Sequence, residues 1–329
     1  VDYGVMPEVQ IRMKNSLLTV VSWNQWSHRN YPQIMPNAFN NVKEFTDNDF
    51  SRNFISYKYY WNSGRVEVKS AYFHERQNYF LESYTSNGNP VSQMNTLNKS
   101  DVFRQIADLQ QDLFKSWKLY SKIQWDSENV TSTDYDNDND NDLGRKKRNI
   151  LSFYAAVDGK IYRDLDLRLT LRNDIVSRDV TPVASQRNEI AVQSNGFKSA
   201  GFFPTATLVY RMPFVKGLSL NAGYSHNYRN PTLNDLYWNP GGNENLKGED
   251  GKTVDFDINY LYENVNFNLD FRTGLYYSKV NDWIQWVPTN YRYWMPRNVS
   301  EVLARGLEAH LKMNYRYALW TFSISGNYV

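Results

Sequence analysis

The chain has 329 residues, a formal charge of +2 and no cysteine, yet carries 25 Tyr, 17 Phe and 10 Trp within a hydrophilic average. The near-neutral balance gives no reason to expect a nucleic-acid partner, and the lack of cysteine excludes disulfides and thiolate metal sites. A soluble chain of this length would divide into about two domains. No run of ~18 apolar residues is present to form a membrane helix, while many aromatics in a hydrophilic chain suit a wall with lipid on one side and water on the other.

Val1-Asp2-Tyr3-Gly4 shows neither the basic nor the apolar part of a secretory leader. The last residues, Phe322 to Val329, alternate in polarity and stop without a turn. The chain therefore reads as an internal segment.

In chain order, period-two patterning predicts strands near 8–13 and 16–26, joined by Lys14-Asn15. A long segment, 27–51, follows Trp23 and Trp26 and includes His28, Arg29 and Tyr31. Strands near 52–61 and 65–82 meet at Asn62-Ser63-Gly64, and segment 83–101 comes next. Strands near 102–114 and 117–129 meet at Lys115-Ser116. Segment 130–148 interleaves Asp134, Asp136, Asp138, Asp140 and Asp142 with asparagines and closes on Arg145-Lys146-Lys147-Arg148. Strands near 149–158 and 163–177 lead to segment 178–200, and strands near 201–212 and 218–229 to segment 230–252. Strands near 253–262 and 265–282, joined by Glu263-Asn264, lead to segment 283–301. Strands near 302–315 and 318–329 end the chain.

Each strand has one apolar and one polar face, because successive side chains point opposite ways. Leu165, Leu167, Leu169 and Leu171 alternate with Asp166, Arg168, Thr170 and Arg172. Val265, Phe267, Leu269 and Phe271 alternate with Asn266, Asn268, Asp270 and Arg272, and Leu307 to Met313 alternate with Glu308, His310 and Lys312. A soluble antiparallel sheet with one solvated face gives the same alternation. The connections separate the two readings. Short and long links alternate, so about fourteen antiparallel strands would carry all six long segments on one rim, as outer-membrane barrels do. Six structureless segments of that length are foreign to a compact soluble domain. Several strands exceed the ~9–11 residues that cross a bilayer and should project beyond it. The expected fold is all-β, an antiparallel transmembrane barrel wall filling 1–329. Leu167, Leu169, Phe267, Leu269 and Leu311 should face lipid, and Arg168, Arg172, Asp270, Arg272, Glu308 and His310 the lumen.

The acidic tip makes Asp136, Asp138, Asp140 and Asp142 calcium candidates. The EF-hand pattern fails there, since Asn141 and Lys147 stand where its Gly and Glu belong, and a solvated acidic tip is the simpler reading. The basic run after it suits lipopolysaccharide phosphates or balances the acidic run. Aromatics cluster in the later segments, where they either stack on a ring-shaped ligand or form the interfacial girdle. Tyr237, Trp238, Trp286, Tyr291, Tyr293 and Trp294 are the ligand candidates; Trp23, Trp117 and Trp125 suit the girdle. No serine-hydrolase elbow, phosphate loop or zincin motif occurs, so no catalytic residue is proposed and an enzyme is not expected. His310 beside Glu308 suits a structural hydrogen bond.

The stretch Tyr224-Ser225-His226-Asn227-Tyr228-Arg229-Asn230-Pro231-Thr232-Leu233-Asn234-Asp235-Leu236-Tyr237, followed by Gly242-Asn243-Glu244-Asn245-Leu246-Lys247-Gly248-Glu249, resembles the barrel signature of TonB-dependent receptors. Ala304-Arg305-Gly306-Leu307-Glu308 is similar to a later strand of that family. Glu244 and Gly248 depart from it, standing where prolines are usual. The resemblance implies a plugged barrel of about 22 strands, with the plug and about three strands before Val1 and about five after Val329. It also implies active nutrient import, with a TonB-type coupling protein acting through the plug, a small-molecule ligand, no resident cofactor and sometimes a surface lipoprotein cap. The wording around Trp238 and Trp294 is similar to cobalamin receptors. Ferric-siderophore receptors, a passive porin and a secretion or assembly barrel are the alternatives.

Overall fold

A computed structural model of the chain describes residues 2–31, 42–84, 88, 90–114, 116–136, 139–181, 193–239, 241–289 and 293–329. These residues form one antiparallel sheet of fifteen strands and one short helix. β1 (Asp2–Val5) and β2 (Glu8–Arg12) are two halves of one edge strand, both paired to β3 (Ser16–Asn30) and broken at Met6-Pro7. Pro7 has no amide hydrogen for the ladder. Then follow β4 (Val42–Trp61), β5 (Gly64–Tyr84), β6 (Pro90–Asp112), β7 (Lys118–Asp136), β8 (Asn139–Tyr162), β9 (Leu165–Thr181), β10 (Gln193–Arg211) and β11 (Leu218–Arg229). The helix α1 (Leu233–Tyr237) precedes β12 (Glu249–Glu263), β13 (Phe267–Pro288), β14 (Trp294–Tyr317) and β15 (Trp320–Tyr328). From β3 onward every strand pairs with its sequence neighbour, and no pairing joins β15 to β1 among the described residues.

With the edge strand counted once, fourteen passes cross the sheet, and the short turns lie on one rim with the six other connections on the opposite rim. The lengths of those six were overestimated. Between described strand ends they shrink to 31–41, 85–89, 137–138, 182–192, 230–248 and 289–293. Segment 130–148, expected as a free acidic tip, runs mostly as ladder, with Thr133 opposite Asp142, Asp134 opposite Asn141 and Asp136 opposite Asn139. Polar composition does not prevent a strand when a partner strand satisfies each backbone amide. β8 and β14 reach 24 residues each, about 80 Å at ~3.3 Å per residue. That is more than twice the ~30 Å hydrocarbon thickness, so the sheet rises well above the membrane on the long-connection side.

Register settles the two faces. Leu269 stands between Tyr262 and Met313, while Arg272 stands between Asn259 and His310. Arg168 lies opposite Asp158 and Thr207, and Leu169 opposite Val157 and Ala206. The polar set therefore shares one face and the apolar set the other. The sheet curves toward the polar face. Tyr79 of β5 packs on Trp238 at 6.0 Å between ring centroids, and Trp286 of β13 donates its indole N–H to Asp235 at 3.0 Å. β5 and β13 are eight strand steps apart, about 38 Å along a flat sheet at ~4.8 Å per step, yet both touch a segment only a few residues long. The polar face is concave and corresponds to a barrel lumen. Trp125 follows its expectation, packing edge-on against Phe103 on the convex face. Trp23 does not. It shares the concave register face with Arg52, whose guanidinium lies 5.3 Å from its ring centroid.

Candidate ligand-binding site

The connection between β11 and β12 folds into the concave face instead of standing free above the rim. Its start is set locally. Thr232 Oγ accepts from the Asp235 amide at 3.0 Å, and the Asp235 carboxylate accepts from the Thr232 amide at 2.8 Å. This reciprocal capping box begins the helix, directly after Pro231. Leu236, which is 1% exposed, then packs with Leu246 and with Ile284 of β13 in the one cluster of buried apolar side chains among the described residues. The buried Asp235 has three further ties: the Trp286 indole, Arg229 at 3.8 Å and, through its carbonyl, the Asn243 amide at 2.9 Å. Gly242 sits against Leu236, Tyr237 and Trp238, leaving no room for a β-carbon.

The run Arg145-Lys146-Lys147-Arg148 alternates in burial: residues 145 and 147 are exposed, 146 and 148 buried. The buried pair holds the connection. Arg148 donates to Glu128 at 2.7 Å and to the Pro231 carbonyl, while the Lys146 ammonium lies 5.8 Å from the Tyr237 ring centroid. Burial holds the Lys146 ammonium below its usual pKa and pushes the Tyr237 phenol above its own. Both lie at the far rim, outside the membrane-spanning part.

Between α1 and strands β5 to β8 lies a cleft of about 430 Å³. Tyr237 and Trp238 form one wall; Gln77, Asn98, Ser100 and Arg148 form the other. Trp238 is half-buried and stacks edge-on with Tyr79. A cleft with aromatic rings on one side and amides and hydroxyls on the other suits a large planar ligand with polar edges.

The β13–β14 hairpin stands beside the connection, as expected. Asn243 donates to the Pro296 carbonyl at 3.1 Å, and Asn298 and Lys247 bond each other through the side-chain amide of Asn298. Gly241 abuts the Trp294 carbonyl and the Tyr293 ring. Trp294 is 47% exposed at the tip. Tyr291 lies outside the described residues. Trp286 differs from its neighbours, because its N–H is already committed to Asp235; it supports the connection. Tyr79, Asn98, Lys146 and Arg148 were not expected here. The Thr-x-x-Asp capping pattern was visible in the sequence and marks the helix, but the strands that meet it are remote in the chain, as in the Arg148–Pro231 bond across 83 positions.

At the acidic tip, Asp142 accepts the Gly144 amide at 2.9 Å. Asp138 lies outside the described residues, as do the side chains of Asp136 and Asp140. His310 has the structural hydrogen bond expected of it, with Asn327 at 2.6 Å.

This curved antiparallel wall, with an inward-folded connection at its far rim, has the architecture of an outer-membrane receptor barrel. The chain belongs to the family described as TonB dependent receptor-like, beta-barrel, whose model matches residues 10–329. Its members are outer-membrane proteins and transport receptors, not enzymes. The vitamin B12 transporter BtuB of Photobacterium profundum is 25% identical over 256 residues, covering 72% of this chain and 40% of the relative. The protein of the same name from Vibrio vulnificus is 33% identical over 82 residues, covering 25% of this chain and 13% of the relative. The chain thus spans less than half the length of these relatives. Among solved structures, the siderophore receptor PiuA from Acinetobacter baumannii superposes with a TM-score of 0.66 at 10% identity, covering 98% of this chain and 56% of that one. The copper transporter OprC does so with a TM-score of 0.63 at 12% identity, covering 99% and 59%. At such identities the likeness concerns the fold.

Proposed function

We propose that this chain is the barrel wall of an active importer that captures a corrinoid at its outer rim and passes it inward with energy from a TonB-type coupling protein. The observation that carries the reading is the inward-folded connection, which places Tyr237 and Trp238 over a polar cleft in the lumen wall instead of above the rim. A corrinoid has a flat, apolar ring face and an amide-rich edge. The aromatic wall suits the first, and Gln77 and Asn98 suit the second. The relationship to vitamin B12 transporters favours this ligand over a ferric siderophore. Tyr293 and Trp294 would close over the ligand from the neighbouring hairpin. The coupling protein, and any lipoprotein cap, would act on parts of the receptor other than this wall.

Calorimetry on the full-length receptor tests the reading, with cyanocobalamin and a ferric siderophore titrated side by side. The double variant Trp238→Ala with Trp294→Ala removes two stacking surfaces, each worth about 0.5–1.5 kcal/mol beyond area burial. Cobalamin affinity should fall roughly five- to hundredfold with normal barrel assembly. Unchanged affinity would remove these side chains from the site, and selective siderophore binding would replace the ligand.

A further inference from the structure

We propose that a pocket low on the lumen wall, between β5 and β9, is an anion station that holds the phosphodiester of a corrinoid's nucleotide arm once the ligand has left the rim cleft; the inference rests on the corrinoid reading. On β5, Arg65, Glu67 and Lys69 share the concave face with Gln77 and Tyr79, and register carries that face across Asp108 of β6, Lys122 of β7 and Tyr154 of β8. These side chains, with Tyr120 and Arg168, line a pocket of about 250 Å³. It lies toward the short-turn rim. Lys69 is eight residues below Gln77 on β5, and Lys122 six below Glu128 on β7. The pocket therefore stands about 20–26 Å from the cleft along the strands, at ~3.3 Å per residue.

The charge of the pocket is unbalanced. Buried Glu67 accepts from the Ser56 hydroxyl at 2.7 Å and lies 3.3–3.6 Å from Lys58, Arg65 and Lys69. Asp108 lies 3.3 Å from Lys69. Two carboxylates thus serve three cations. Lys122 and Arg168 add two more, and neither forms an ion pair with described residues, although Asp108 and Asp158 are their neighbours in register. The Arg168 guanidinium instead lies 5.6 Å from the Tyr120 ring centroid. Other lumen cations nearby behave differently. Arg104 pairs with Asp126 at 2.7 Å, and Arg172 with Asp174 at 2.8 Å. Cations left over on a carboxylate-poor wall gain by taking an oxyanion, because an ammonium and a guanidinium both donate charge-assisted hydrogen bonds to its oxygens. The phenols of Tyr120 and Tyr154 are further donors. A nucleotide-bearing corrinoid combines neutral amides with one phosphodiester, so that fixed anionic group is the feature such a pocket recognises.

The test uses the full-length receptor. In a phosphate-free detergent, phosphorus NMR follows inorganic phosphate titrated onto wild type and onto the double variant Lys122→Gln with Arg168→Gln. In cells carrying either form, uptake of cyanocobalamin is compared with uptake of dicyanocobinamide, which lacks the nucleotide arm and its phosphodiester. The variant should bind phosphate roughly fivefold more weakly or worse, since each half-exposed pair is worth up to about fivefold. It should take up cyanocobalamin several-fold more slowly and dicyanocobinamide at the wild-type rate. Lys122→Arg, which keeps the charge, should match wild type in both measurements. Equal phosphate binding by wild type and the double variant would overturn the proposal. So would an equal slowing for both corrinoids, which reports a damaged lumen, or unchanged cyanocobalamin uptake beside weakened phosphate binding, which assigns the pocket to free phosphate. A wild type that binds cyanocobalamin at the cleft but no phosphate would overturn this proposal alone. A wild type that binds phosphate but no corrinoid would overturn the ligand named here and the reading of the cleft with it.

Discussion

Asp235 concentrates more of the site than any other single residue. One buried carboxylate caps the helix, accepts the Trp286 indole and faces Arg229. Asp235→Ala removes the capping partner, worth about 1 kcal/mol, and leaves the half-buried Trp286 indole N–H without its acceptor, which costs up to a further ~1 kcal/mol. Amide exchange across 232–238 should accelerate to match, while exchange in the strand ladders stays slow. Arg148 gives a second expectation. Arg148→Ala takes from the largely buried Glu128 its hydrogen-bonded partner and leaves it only the more distant Arg104, so the cost should approach the lower end of the about 3–5 kcal/mol for breaking a buried pair. Lys147→Ala, one position away and outward-facing, should leave the connection as it is. Protease cleavage within 231–248 of the full-length receptor distinguishes them, with only the Arg148 variant cut faster.

At the scale of elements, the connection between β11 and β12 is fastened by side chains and contributes nothing to the ladder. Each strand from β3 to β14 satisfies its backbone through the strands on either side, which is what permits a sheet to stand in lipid. Replacing 232–239 with a Gly/Ser segment of equal length should therefore leave assembly intact and abolish the cleft. Heat-modifiable migration of the folded barrel should be retained and ligand binding lost. Loss of the folded band would show that the connection is needed for folding itself. Leu236→Ala should give a milder version, loosening the connection by about 2–5 kcal/mol through the cavity left at Leu246 and Ile284.

At the scale of the whole molecule, the curvature and the two faces decide where charge is tolerated. Leu269→Arg puts a cation on the convex apolar face among Tyr262 and Met313, where a lipid-facing cation costs about 2–4 kcal/mol at the bilayer midplane and less toward the rim. Arg272→Leu removes a charge from the concave face, where it pairs with Asp270 at 2.8 Å. Membrane-assembled receptor should drop for the first variant and stay near wild type for the second. Equal assembly would reverse the facing of β13 and, through its register, of every strand paired in sequence to it.

The sequence by itself determined the class of fold, the fourteen crossings, the alternation of short and long connections and the face of each residue from Leu165 to Arg172 and from Phe267 to Arg272. All of these are local, because a period of two and a turn signal are read within about ten residues. It also placed Tyr237, Trp238, Tyr293 and Trp294 on two connections that prove to be neighbours. It did not show that 130–148 is mostly ladder, since a strand made of Asp, Asn and Thr has no apolar period to read and exists only because a partner satisfies its backbone. Nor did it place Trp23 on the concave face, a matter of register against Arg52. Only the tertiary structure decided that one connection turns inward. Curvature brings β5, β8 and β13 to a segment far from them in sequence, and the contacts that hold it are Tyr79 on Trp238, Arg148 on the Pro231 carbonyl and Trp286 on Asp235. Such contacts join residues 51 to 159 positions apart, so no local pattern encodes them.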